Sequence, residues 1–148
     1  MTEQGLTQVL AGISTVFGET AIAQGEGPHS RLALVTYDSQ AKAVGHNGLK
    51  KALEVLESGR EGGVRKEAKP VIVIYASDFR RDDVDKTLQL AEQAQLKGTH
   101  IIVVAFKEGG KLKSLEQLKV VASPGSFFKS TVDNLGDNIL SALCNIQK

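Results

Sequence analysis

Two apolar runs stand out along the chain, and a stretch with helical periodicity separates them. The first run covers residues 71–76 (VIVIYA) and the second covers residues 100–106 (HIIVVAF). From Val84 to Ala94, apolar residues recur at three- and four-residue spacing, which predicts a helix that ends at Gly98. Near-continuous β-branched runs are typical of strands buried on both faces of a parallel sheet. This segment therefore predicts one complete βαβ unit.

The same periodicity predicts four more helices. They cover residues 2–17, 48–57, 112–121 and 132–146. In the second of them, apolar residues lie on one side and Gly59 marks the expected end.

Shorter apolar segments predict the remaining strands. Residues 31–37 (RLALVTY) form a strand, Asp38 and the residue after it form a turn, and residues 41–44 are a possible return strand. A short strand at residues 127–128 follows a Ser-Pro-Gly turn. Helices and strands in alternation predict an α/β fold, with a doubly wound, mostly parallel sheet sandwiched by helices.

Length and composition argue against a nucleic-acid-binding protein and against a membrane-spanning one. A chain of 148 residues with 41% hydrophobic content is long enough for one domain, and we assign residues 1–148 to it. The net charge of +1 gives no long-range field that would attract nucleic acid or an anionic membrane. No apolar stretch approaches the roughly 20 residues that span a bilayer, and the first residues lack the pattern of a signal peptide. Cys144, among apolar neighbours, is expected to be a small buried residue.

Chemistry is first sought where the strands end, because parallel sheets usually bind ligands at their carboxyl edge. The strand at 71–76 is followed by Ser77 and Asp78.

The other patterns of polar residues favour structural roles. The aspartates at 78–85 lack the spacing of a calcium loop, the three histidines are scattered, and no serine lies in a nucleophile turn. No glycine-rich stretch fits a phosphate loop, and Tyr37 and Tyr75 are expected to pack against helices. These observations favour a protein that is not an enzyme.

Four segments, in their order and spacing, resemble the von Willebrand factor A domain. They are residues 31–37 (RLALVTY), 71–77 (VIVIYAS), 98–106 (GTHIIVVAF) and 118–128 (LKVVASPGSFF). The likeness is strongest to the version that accompanies C-type lectin domains in secreted nematode proteins. The resemblance implies an extracellular protein-binding or adhesion module, with a protein or extracellular-matrix ligand and a lectin domain in the full-length protein.

The resemblance also implies where a metal and a partner would bind. In the family, an Asp-x-Ser-x-Ser loop after the first strand, a threonine and an aspartate hold Mg²⁺ for a partner's carboxylate. This chain begins at what resembles the family's first helix, so that loop is expected to be absent. Asn47 and Gly48 stand in the segment that resembles the threonine's run, and an intervening helix is expected to be missing. Ser77 aligns with the aspartate, which leaves Asp78 shifted by one residue.

We therefore expect a degenerate site without a cofactor, in which Ser77 and Asp78 are the remaining candidates for Mg²⁺. Asp38, Asn47, Ser77 and Asp78 are the candidate partner contacts. Without the first strand, the strands at 31–37 and 71–77 are expected to pair directly. The alternative is a small α/β enzyme or nucleotide-binding domain whose site lies at the same strand ends, near Ser77 and Asp78.

Overall fold

The computed structural model describes five helical residues near the start of the chain and five longer segments. The helical residues are Thr7, Leu10, Ala11, Ile13 and Ser14, and the segments are residues 44–61, 69–76, 84–105, 116–129 and 134–146. The predicted strand at 31–37 lies outside the described residues, so its pairing stays a prediction. The five helical residues agree with the helix predicted at 2–17.

The described elements alternate as the sequence pattern predicts. They are α1 (Val44–Glu61), β1 (Val71–Ala76), α2 (Val84–Leu96), β2 (His100–Ala105), a 3₁₀ helix (Glu116–Val120), β3 (Phe127–Lys129) and α3 (Leu135–Ile146). The three strands form a parallel sheet in the order β1-β2-β3. β1 and β2 pair over their full lengths, from Val71 opposite His100 to Ala76 opposite Ala105. This βαβ unit and its parallel sheet confirm the predicted α/β fold.

One face of the sheet packs against α1 and α2. The buried residues on this side come from both helices, from β1 and β2, and from the 3₁₀ helix and the turn after it. Ala91 and Ala94 of α2 are 0% and 3% exposed, because their short side chains let the helix approach the sheet closely. We call this packing the first-face core; its buried members are Leu49, Ile72, Ala76, Ala91, Ala94, Ile101, Val103, Ala105, Leu118, Val121 and Ala122.

The opposite face packs against α3. Val104 of β2 and Ile139 of α3 are buried at its centre. We call this packing the second-face core. The partly buried apolar residues around that pair are Ile13, Val73, Tyr75, Phe128, Leu135, Leu140 and Leu143. Helices on both faces are the doubly wound arrangement that the alternating pattern predicts.

A glycine turn ends α2 where the sequence predicts it. Gly98 has a φ of +90°, a left-handed conformation that side chains with a Cβ rarely adopt. Its amide donates to the Gln95 carbonyl at 3.0 Å, and the Thr99 amide donates to the Ala94 carbonyl at 3.0 Å. These two bonds make a Schellman motif, which satisfies the last carbonyls of the helix and leads the chain directly into β2.

A second tight turn leads into β3. The Ser126 amide donates to the Ser123 carbonyl at 3.0 Å, with Pro124 and Gly125 at the two central positions. Because proline fixes a negative φ and Gly125 has a φ of +73°, this is a type II turn. The turn is hydrogen-bonded to β2 as well, since the Ile101 amide donates to the Ser123 hydroxyl at 3.0 Å. The predicted turn and the strand that follows it are thus confirmed.

Four local predictions are wrong. Val44 begins α1 and is not in a return strand, and α1 continues through Gly59 to Glu61. Over residues 116–120 the predicted α-helix is a 3₁₀ helix, followed by the turn that leads to β3. Cys144 is exposed, because it lies on the solvent side of α3 while Ile139 takes the central buried position.

Among the described residues, no helix combines the length and apolar character needed to cross a bilayer.

Candidate functional site

The carboxyl ends of the three strands lie side by side. Ala76 of β1 is opposite Ala105 of β2, and Ala105 is opposite Lys129 of β3. The sheet therefore ends in a level row at the edge where parallel sheets usually bind ligands. Ala76 and Ala105 have small side chains, whereas Lys129, at the β3 end of the row, has a long charged one.

An ion pair closes the β3 end of this row. The Lys129 Nζ lies 2.8 Å from the Glu116 Oε1, and both side chains are substantially exposed. The pair joins β3 to the 3₁₀ helix and neutralises the lysine. At this exposure it contributes little to stability, of the order of 0–1 kcal/mol. Sequence reasoning missed this pair, because the two residues are 13 positions apart and no periodic pattern links them.

Asn47 is the predicted partner contact that the structure describes. It lies in the first turn of α1 and is exposed, whereas Gly48 and Leu49, the next two residues, are buried. Leu49 packs in the first-face core, which holds this turn of the helix in place. Asn47 is therefore an exposed residue in a helical turn whose position is held by core packing.

The other predicted contacts are not described. Asp38, Ser77 and Asp78 lie outside the described residues, so the structure does not show whether they come together with Asn47. Ser77 directly follows Ala76, the last residue of β1, in the sequence. The assignment of the four candidate contacts to one surface thus stays a prediction.

The described donor set does not make a metal centre. Among the described residues, no three side chains of histidine, cysteine, aspartate or glutamate lie close enough to hold an ion together. At the carboxyl row, the described side chains are two alanines and the paired lysine. These groups do not fit Mg²⁺, which prefers carboxylate and hydroxyl oxygens.

Tyr75 lies one residue before the end of β1 and faces away from α1 and α2. It packs in the second-face core with Phe128 and residues of α3. Burial raises the pKa of its phenol above the ordinary value of 10.0, so the ring stays neutral. For Tyr75 this confirms packing against a helix; Tyr37 lies outside the described residues.

His100 is at the opposite edge of the sheet, where β2 begins. Its Nε2 lies 2.7 Å from the Ser126 hydroxyl, and its backbone amide donates to the Pro70 carbonyl at 3.0 Å. Burial lowers the pKa of its imidazole below the ordinary value of 6.5. Because Ser126 is only 3% exposed, the pair serves to join the type II turn to β2. The predicted strand-start role of His100 is confirmed.

Comparison with known proteins identifies the family. The model of the von Willebrand factor type A domain matches residues 44–141, which include every described element from α1 through β3 and most of α3. A Caenorhabditis elegans protein, C-type lectin domain-containing protein 160, is 27% identical over an alignment that is 180 residues long, gaps included. That alignment covers 99% of this chain and 27% of the relative, so the chain spans about a quarter of the relative's length. No solved structure gives a significant match.

The alignment with the nematode protein is longer than the chain itself. The relative therefore contains residues that have no counterpart here. The absence of an intervening helix from this chain stays a prediction.

Proposed function

This chain belongs to the von Willebrand factor type A domain family, and on that premise we propose that it is a non-enzymatic protein-binding module. The observation that carries the proposal is the match over residues 44–141 together with the parallel sheet and flanking helices in that range. The family's domains are in general protein-interaction modules. In this chain, the proposed activity is adhesion to another protein or to the extracellular matrix.

The proposed binding surface is the carboxyl edge of the sheet, with Asp38, Asn47, Ser77 and Asp78 as its contacts. Two features support it. α1 leads into the amino end of β1, which favours a position for its first turn, with the exposed Asn47, towards the carboxyl edge. Ala76 and Ala105, the last described residues of β1 and β2, have small side chains that do not themselves obstruct a partner at this edge.

We further propose that binding does not need a metal. The sequence has Asn47 and Gly48 in the segment that resembles the metal-binding threonine's run, and Ser77 where the family has an aspartate. Lys129 ends the same edge two strands away from β1, which is about 10 Å at the usual strand spacing. Glu116 already pairs with Lys129, so this end of the edge offers no uncompensated carboxylate for a divalent cation.

The proposed setting is extracellular, in one domain (residues 1–148) of a larger protein that contains a C-type lectin domain. Support comes from the name of the nematode relative, of which this chain spans about a quarter.

A solid-phase binding assay tests the proposal. The purified chain is applied to immobilised collagen, fibronectin and laminin, once in EDTA and once in millimolar Mg²⁺. We expect saturable binding to at least one of them, equal in both buffers. The Asn47→Ala variant should bind about fivefold to tenfold more weakly, the usual cost of losing one central polar contact. Gln93→Ala, which removes an exposed amide from α2, is the matched control and should bind normally.

Binding that EDTA abolishes contradicts the metal-free mechanism. Equal losses in Asn47→Ala and Gln93→Ala contradict the assignment of the surface. Saturable binding of a nucleotide, with none of the three matrix proteins bound, would favour the enzyme or nucleotide-binding alternative.

A further inference from the structure

A groove runs along the outer side of α2, away from the carboxyl edge described above. It encloses about 550 Å³ between α2 and the segment that runs from the 3₁₀ helix to the start of β3. Leu88 and Glu92 form the α2 wall, and Lys119, Val120 and Pro124 form the other wall. Apart from these two charged residues, the walls have apolar side chains at Leu88, Val120 and Pro124.

One hydrogen bond joins the two walls of the groove, and two more hold the second wall against β2. The Gln95 side-chain amide donates to the Val121 carbonyl at 3.1 Å and ties the end of α2 to the opposite wall. The Ser123 amide donates to the Ile101 carbonyl at 2.9 Å, and the Ile101 amide donates to the Ser123 hydroxyl at 3.0 Å. The groove therefore exists before any ligand arrives, and an occupant would not have to order it.

The two charges of the groove lie on opposite walls and make no ion pair within the described part of the chain. Glu92 and Lys119 are both exposed, and neither makes an ion pair with the other or with any other residue that the structure describes. An occupant that satisfies both must therefore offer one cationic and one anionic group, at the spacing of these two side chains.

Exposed apolar side chains lie along the same surface. Leu96 is 89% exposed and Val120 is 56% exposed, and both are among the large apolar residues most exposed in the described part of the chain. Leu96 is four residues after Glu92 and eight after Leu88, so it continues the α2 wall by one more turn. The surface thus combines an apolar groove with a protruding apolar side chain at its end.

We propose that this groove is an interface between two copies of the chain related by a two-fold axis. In such an interface the same surface meets itself, so each residue contact occurs twice. Glu92 of one copy pairs with Lys119 of the other, and the second pair is its symmetry mate. Leu96 of each copy packs against the apolar side chains of its partner's groove and is buried there. The proposal is independent of the proposed binding function, which uses the carboxyl edge of the sheet.

A second copy of the chain matches the charges of the groove. It carries the two required charges at the required spacing, because they are the same two residues. It also buries Leu96, which otherwise remains in water at a cost. The net charge of +1 gives no long-range repulsion between copies to oppose the contact.

Sedimentation equilibrium of the full chain over a wide concentration range tests the interface. We expect a monomer–dimer equilibrium. Glu92→Lys and Lys119→Glu should each raise the dissociation constant of the dimer by about tenfold or more, since the symmetry places two like-charged contacts in each variant dimer. The double variant Glu92→Lys/Lys119→Glu restores both pairs with their signs exchanged, and its dissociation constant should return to within a few-fold of the original.

Controls separate the interface from general charge effects. Glu57→Lys and Lys50→Glu make the same charge changes at exposed positions of α1 and should leave the dimer unchanged. Leu96→Ser should weaken the dimer without lowering the thermal midpoint measured at a concentration where the chain is monomeric, because the side chain is exposed in the monomer. A chain that is monomeric at several hundred micromolar contradicts the proposal. So does a double variant that stays as weak as the single ones, or a control that weakens the dimer equally.

Discussion

The two faces of the sheet share the same three strands and differ in the helices that cover them. On the first face, α2 presents Ala91 and Ala94, and the described core there has eleven buried residues with partly buried ones around them. On the second face, α3 presents Leu135, Leu140 and Leu143, which remain partly exposed around the buried Ile139. β2 itself is buried on both sides, so the strands do not cause the difference.

Side-chain size in the covering helix accounts for the contrast. Short alanine side chains let the backbone of α2 lie close to the sheet. The longer leucines of α3 surround the buried Ile139 and stay partly exposed. Within the described residues, the structure therefore places more of its packing energy on the first face. Matched substitutions on the two faces test this contrast.

The largest effect is expected from the same substitution made in both cores. Ile101→Ala and Ile139→Ala each remove three buried carbons, and such changes cost about 2–5 kcal/mol. We expect Ile101→Ala at the upper end of that range, since its buried neighbours have little room to fill the cavity. Ile139→Ala should lie at the lower end, because its partly exposed neighbours can move inwards. The free energy of unfolding from urea titration measures both, and equal costs would contradict the contrast.

An intermediate effect is expected at the turn that positions α2 on the first face. Gly98→Ala forces a side chain into a φ of +90°, while the added methyl meets no atom within 4 Å. Its cost is therefore conformational, about 1–2 kcal/mol. Gly98→Asn should cost less, since asparagine tolerates the left-handed region better. The thermal midpoints of the two variants check this order, and a cost of Gly98→Asn above that of Gly98→Ala would contradict it.

The smallest expected effect is a pH dependence of the stability, which arises from His100 at the start of β2. Because burial lowers the folded-state pKa of His100 below 6.5, the unfolded chain binds its proton more readily. This contribution to stability is complete above pH 6.5 and is lost as the pH falls through the lowered folded-state pKa. A His100→Gln variant lacks it, so its thermal midpoint should fall less than that of the wild type between about pH 7.5 and 5. Parallel pH profiles would contradict the role of His100.

The sequence predicted most of what periodicity and turn chemistry control. The βαβ unit follows from two β-branched runs, and the end of α2 follows from Gly98. Gly59 was the wrong end of α1 because a glycine is tolerated inside a helix whose neighbouring turns are held by packing. Cys144 was wrongly placed because at this position the periodicity, not the identity of the neighbours, decides which side of a helix faces solvent.

The site was less predictable than the fold. The candidate contacts follow from a resemblance at single positions, and of them the structure describes Asn47, which is exposed as a contact must be. The Lys129–Glu116 pair and the groove beside α2 depend on residues far apart in the chain. Periodicity carries no information about such long-range neighbours, so only the structure reveals them.

The central claim is a protein-binding edge that works without a metal, and a thermal melt tests its metal-free part most directly. The full chain, first stripped with EDTA, is melted with and without millimolar Mg²⁺ or Mn²⁺. We predict one cooperative transition whose midpoint the ions do not move. A bound ion at 100 times its dissociation constant would add about 2.7 kcal/mol, or roughly 5–10 °C for a chain of this size. An upward shift of that kind, lost in Asp78→Ala, would contradict the account and establish a metal site at the end of β1.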